Sequence, residues 1–121
     1  SLKQVWFSGV HSNVGGSYPA DADGGLLSDI PMQWMAKQAK AEGLQIEQHL
    51  AASLNPSATA KLHQSRKHIY RSKRPFHRPI DHGGEVLLHR SVKQRWQADS
   101  KYRPKNLQQH IQAQGWPQLV D

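Results

Sequence analysis

Val5-Trp6-Phe7-Ser8-Gly9-Val10-His11-Ser12-Asn13-Val14-Gly15-Gly16-Ser17-Tyr18 joins a short apolar run to a histidine and then to a glycine-rich bend. The run Val5–Val10 reads as a buried strand. In open α/β sheets, ligands and catalysis gather just beyond the carboxyl ends of the strands. A histidine placed there is a candidate general base, the role it plays beside a nucleophilic serine. The competing reading is a hydrogen-bonded loop histidine, a common feature of surface connections.

Four further phrases follow in order: Leu27-Ser28-Asp29-Ile30, Gln33-Trp34-Met35, Leu88-His89-Arg90-Ser91-Val92 and Tyr102-Arg103-Pro104-Lys105-Asn106-Leu107. Together with the opening stretch they resemble an α/β-hydrolase-like family, long catalogued as a domain of unknown function, that includes the phospholipase effectors of bacterial type VI secretion. Its phrases run close to W-F-x-G-V-H-S-D-V-G-G-G-Y, L-S-D-I, H-P-S-V and Y-R-P-x-N-L. The chain departs at Asn13, where the family has aspartate, at Ser17, where it has glycine, and at Arg90, where it has proline. The resemblance implies a serine in a G-x-S-x-G elbow, an acid and a histidine, in that chain order. His11 carries over as the histidine. No serine of this chain sits in such a frame, so no nucleophile carries over.

The expected fold is therefore α/β: the C-terminal part of a single α/β-hydrolase-like domain, beginning at its last core strand and mostly helical and irregular within residues 1–121. Residues 1–43 would hold the strand, the histidine loop and a helix. Residues 44–84 would form a basic connector and helix, and residues 85–121 a closing segment. The resemblance implies a lipase or phospholipase whose serine and acid lie upstream in the same polypeptide, acting on a lipid or ester without a cofactor. Alone, the chain is expected to be inactive. The implied location is the bacterial cytoplasm, or export by a system that needs no signal peptide.

Composition agrees with a partial domain. A 121-residue chain can bury roughly two-thirds of its unfolded surface, yet hydrophobic residues make up only 36%, beside nine glycines and seven prolines. Only one or two strands are visible. Unpaired buried backbone is costly, so the Val5–Val10 strand is expected to lean on a sheet from upstream sequence. There is no cysteine, which excludes disulfides and thiolate metal sites. No apolar run approaches the roughly 20 residues of a transmembrane helix, and the first residues read as core strand and not as a signal peptide.

Charge is concentrated. No acid lies between Glu47 and Asp81, a window holding Lys61, Arg66, Lys67, Arg71, Lys73, Arg74 and Arg78. The other nine cations match the nine acids, so the net +7 belongs to this window alone. His63, His68 and His77 add to it below about pH 6.5. Such a segment attracts polyanions, and a non-catalytic basic module binding anionic membrane or nucleic acid is the alternative function. Nucleic acid is the weaker partner, because only Tyr70 and Phe76 interleave aromatics there.

Punctuation sets the remaining elements. Residues 12–25 read as a loop. A helix is expected from Ser28, an N-cap, with Asp29 at its positive end, Pro31 in its first turn and Gly43 as its stop. Leu27, Ile30, Trp34 and Met35 share one face of it, a core stripe. A connector with Leu44, Ile46, Leu50 and Leu54 leads to Asn55-Pro56, read as the cap of a second helix carrying Leu62, Ile69 and Tyr70. A loop from Arg74 to Gly84, a short strand over 85–89, a helical turn over 91–97 and a polar helix over 106–115 complete the chain.

Several residues allow two readings. Gly15 and Gly16 either bend the backbone beneath His11 or make an ordinary tight turn. Asn13 either weakens a charge role of the family's aspartate or caps a turn equally well. His63/His68 and His77/His82 are five apart and fit no H-E-x-x-H frame, so no metal site is expected. Asp21-Ala22-Asp23-Gly24 begins like a calcium loop but lacks the later ligands and reads as a turn. Arg103 either fixes a chain reversal or pairs with a core carboxylate.

Overall fold

The computed structural model describes residues 2–64, 72–80 and 85–121. The chain divides into two compact units, Ser1–Phe7 with Gln64–Asp121 (unit 1), and Ser8–His63 (unit 2).

Unit 1 is built on a small parallel sheet of β1 (Val5–Trp6), β2 (Leu87–His89) and β3 (Gln118–Val120), in the order β1-β2-β3. Val5 pairs with Leu87 and Trp6 with Leu88, while Leu88 faces Leu119 and His89 faces Val120. Helices α4 (Arg90–Ala98) and α5 (Lys105–Gln114) connect β2 to β3, the kind of crossover that parallel neighbours require. Ile80, Leu88, Val92 and Leu107 form the buried core, with Trp6, Trp96, Tyr102, Ile111 and Trp116 packed around it. Trp96 meets Trp116 edge to face, with ring centres 5.3 Å apart. The i, i+4 pair Val92 and Trp96 puts both on the core side of α4, as the spacing predicts. Leu107 and Ile111 do the same for α5.

The expected lone strand is thus paired within the chain. β3 escapes a reading by periodicity because three residues show none. β1 is also shorter than the Val5–Val10 run: Gly9 takes φ +110°, outside the extended region.

Unit 2 holds α1 (His11–Gly15), α2 (Asp29–Ala41) and α3 (Gln48–Ser53). α2 begins and ends where its punctuation indicates. Its Ser28 cap makes no side-chain bond to the helix. Its end is a Schellman turn, with Gly43 N–H donating to Lys40 O and Leu44 N–H to Ala39 O, both at 3.0 Å. Of the anticipated stripe, Leu27 and Ile30 are buried and Trp34 half-buried, whereas Met35 is exposed.

Two expectations fail here. Residues 11–15 are helical and not loop, and no helix starts at Asn55-Pro56. The Asn55 N–H donates to Asp29 Oδ2 and its carbonyl accepts from Leu26 N–H, while Pro56 bridges to Leu26. With both backbone groups engaged by another segment, the chain stays extended. The helix of this region is α3, inside the presumed connector. Ile69 and Tyr70 lie outside the described residues.

Candidate active-site segment

The opening stretch builds its turn from backbone requirements. Beyond β1, Ser8 is buried and Gly9 follows at φ +110°. A Cβ on Gly9 would stand 2.3 Å from the Asn13 Cβ, so a side chain fits neither the backbone nor the space. Val10 is extended and caps α1. Its N–H donates to Asn13 Oδ1 at 3.1 Å, and its carbonyl accepts from Asn13 N–H at 2.9 Å and Val14 N–H at 3.2 Å. The asparagine thus satisfies the backbone donor that a carboxylate at the third helical position commonly satisfies.

His11 is the first residue of α1 and is exposed. Among the described residues, no carboxylate forms an ion pair with it. Gly15 closes α1, and a Cβ there would meet nothing within 4 Å. Gly16 carries the bend at φ +96°, its N–H donating to Ser12 O at 3.1 Å. Ser17 follows at φ +92°, a conformation L side chains rarely adopt. This is the position where the resembled phrase has glycine.

Asn13 is only 2% exposed, and its other amide atom reaches across the unit. Nδ2 lies 3.5 Å from His63 Nδ1, and the His63 ring stacks on Tyr18 with centres 3.9 Å apart and planes 14° off parallel. With the amide donating, His63 Nδ1 is the acceptor of this contact. These residues, with Ser12, Asp21, Ser28 and Lys61, line a shallow surface indentation too small to enclose a water molecule. His11 is not part of its lining. The pairing of residue 13 with residue 63 has no sequence signal, since neither spacing nor periodicity links positions 50 apart.

The remaining sequence candidates fall into structural work. Asp23 Oδ1 accepts from Gly25 N–H at 2.9 Å, and Asp21 Oδ2 from Lys61 N–H at 2.9 Å. Asp23 therefore holds a local turn, and Asp21 ties together two segments forty residues apart. Among the described residues, no group of three or more His, Cys, Asp or Glu side chains could hold a metal ion. Among the described residues, Arg103 pairs with no core carboxylate. Its Nη1 donates to the carbonyls of Trp96, Asp99 and Tyr102 at 3.0, 3.1 and 2.7 Å, capping the end of α4, with the guanidinium 4.1 Å from the Trp96 ring centre.

At the end of β2, His89 Nδ1 accepts from Ser91 N–H at 3.2 Å and lies 2.8 Å from Ser91 Oγ, while Phe7 stacks on its ring. This imidazole caps α4. Arg90 occupies the first position of α4, where the family's proline is favoured, and its Nε pairs with Asp121. Of the basic window, Lys61 belongs to unit 2, and Lys73, Arg74 and Arg78 are exposed in unit 1. Arg66, Lys67 and Arg71 lie outside the described residues.

Residues 1–38 match the sequence model of the family described as T6SS, Phospholipase effector Tle1-like, catalytic domain. The matched span covers under a third of the chain and includes β1, α1 and most of α2. It contains His11, Asn13 and Leu27-Ser28-Asp29-Ile30. The phrases around Ser91 and Arg103 lie beyond it. Comparisons with curated proteins and with solved structures gave no match. The similarity to type VI secretion phospholipase effectors thus rests on the segment that carries the exposed histidine.

Proposed function

We propose that this chain supplies the histidine of a serine-dependent phospholipid ester hydrolase with an α/β-hydrolase-like fold. The observation that carries the proposal is the family match over residues 1–38, because it falls on the turn that presents His11. Exposure leaves the imidazole accessible to a reacting group, and the turn around it is fixed by Gly9, Asn13 and Gly16.

In the proposed mechanism, a serine hydroxyl from an upstream part of the same polypeptide attacks the ester carbonyl. His11 takes the hydroxyl proton as the C–O bond forms and returns it to the departing alcohol as the tetrahedral adduct collapses. Water then attacks the acyl-serine ester by the same route, releasing the fatty acid. An upstream acid orients the ring, and backbone N–H groups hold the oxyanion. β1, at one edge of the three-stranded sheet, offers the place where upstream strands would join.

The test is phospholipid ester hydrolysis by the complete gene product. His11→Ala is expected to lower kcat by at least about a thousandfold, with an unchanged melting temperature because the side chain is exposed. Unaltered turnover would refute the assignment.

A further inference from the structure

In unit 1, every residue from 72 to 79 is exposed. Phe76 is 84% exposed, the most exposed aromatic among the described residues. Around it stand Lys73, Arg74, His77 and Arg78, within a stretch of sequence that holds no acid from residue 48 to residue 80. The segment has a fixed base. The Arg78 carbonyl accepts from Asn106 Nδ2 of α5 at 2.9 Å, and Ile80 is buried in the unit 1 core. Pro75 and Pro79 restrict φ on either side of the aromatic, and neither has an N–H to donate to a helix or sheet.

An exposed phenyl ring with Lys73, Arg74 and Arg78 close by in the sequence suits an interface with two layers, one anionic and one apolar. We infer that residues 73–78 dock on the surface of an anionic phospholipid bilayer, with Phe76 entering the boundary between headgroups and acyl chains. Lys73, Arg74 and Arg78 face the lipid phosphates, their aliphatic stems lying along the apolar layer. Single-stranded nucleic acid fits less well, because it is held by successive aromatic platforms and one phenyl ring provides a single step. The choice of a bilayer over another polyanion rests in part on the phospholipase reading above. The experiment measures binding and not hydrolysis, so a failed hydrolase assay leaves it intact.

The test is cosedimentation of the 121-residue chain with vesicles of phosphatidylcholine alone and of phosphatidylcholine mixed with phosphatidylglycerol. Binding is expected only to the anionic vesicles, falling as salt rises. The double variant Arg74→Gln/Arg78→Gln should weaken it by roughly 25-fold, at about fivefold per cation. Phe76→Ser should weaken it by about tenfold. All three side chains are exposed, so melting temperatures should not move, which separates lost docking from lost folding. Equal binding to both vesicle types would overturn the inference. So would an unchanged Phe76→Ser variant whose arginine counterpart loses vesicles and duplex DNA alike, since that pattern marks a general polyanion patch.

Discussion

Ser17 sits at φ +92°. A left-handed backbone costs an L residue about 1–2 kcal/mol that glycine avoids. Ser17→Gly is therefore expected to raise stability by about 1 kcal/mol, read as a higher urea midpoint. A lower midpoint would mean the Ser17 side chain holds the turn. At Gly9 the sign reverses. Gly9→Ala forces a Cβ against Asn13 and is expected to cost about 2 kcal/mol or more. Asn13 divides two explanations of its departure from aspartate. If capping Val10 N–H is what the position needs, Asn13→Asp retains near-native stability, whereas Asn13→Ala loses about 1–2 kcal/mol. Equal losses in both variants would give the weight to the contact with His63. The order of its residues made the likeness of this stretch to a phospholipase-effector family readable. The individual jobs of Gly9 and Ser17 were not readable, because a φ angle leaves no trace in residue type when serine occupies a glycine position.

Among the elements, helices with an i, i+4 apolar pair were legible: α2, α4 and α5 all lie within two residues of the expected bounds. The failures have separate causes. The helix expected after Asn55-Pro56 yields to long-range backbone bonds with Leu26 and Asp29, and tertiary ties of this kind override a local cap signal. β3 is too short to show alternation. Arg90, in the first position of α4, follows a residue with extended backbone, the geometry that precedes proline. Arg90→Pro is expected to change stability by less than about 1 kcal/mol, since the ion pair it loses with Asp121 is exposed. A larger loss would show that the Arg90 N–H serves the sheet. Leu107, at 2% exposure in the unit 1 core, has no such tolerance. Leu107→Ala should cost about 2–5 kcal/mol in the same assay.

At the scale of the whole molecule, the described residues bury few apolar side chains and leave Met32, Met35, Leu44 and Leu50 more than half exposed. Apolar groups left in water in this number suit a chain that works against further polypeptide. The proposed hydrolase supplies that polypeptide along with its serine and acid. The opening phrases made a likeness to type VI secretion phospholipase effectors legible, while the distribution of residues between two compact units depends on contacts far apart in the chain. The most direct measurement is the rate at which a fluorophosphonate modifies the serine of the complete gene product, a step that needs its hydroxyl proton removed and no product released. The proposed role of His11 predicts rapid labelling of one serine outside these 121 residues and its loss in His11→Ala. Labelling at the native rate in that variant would contradict it.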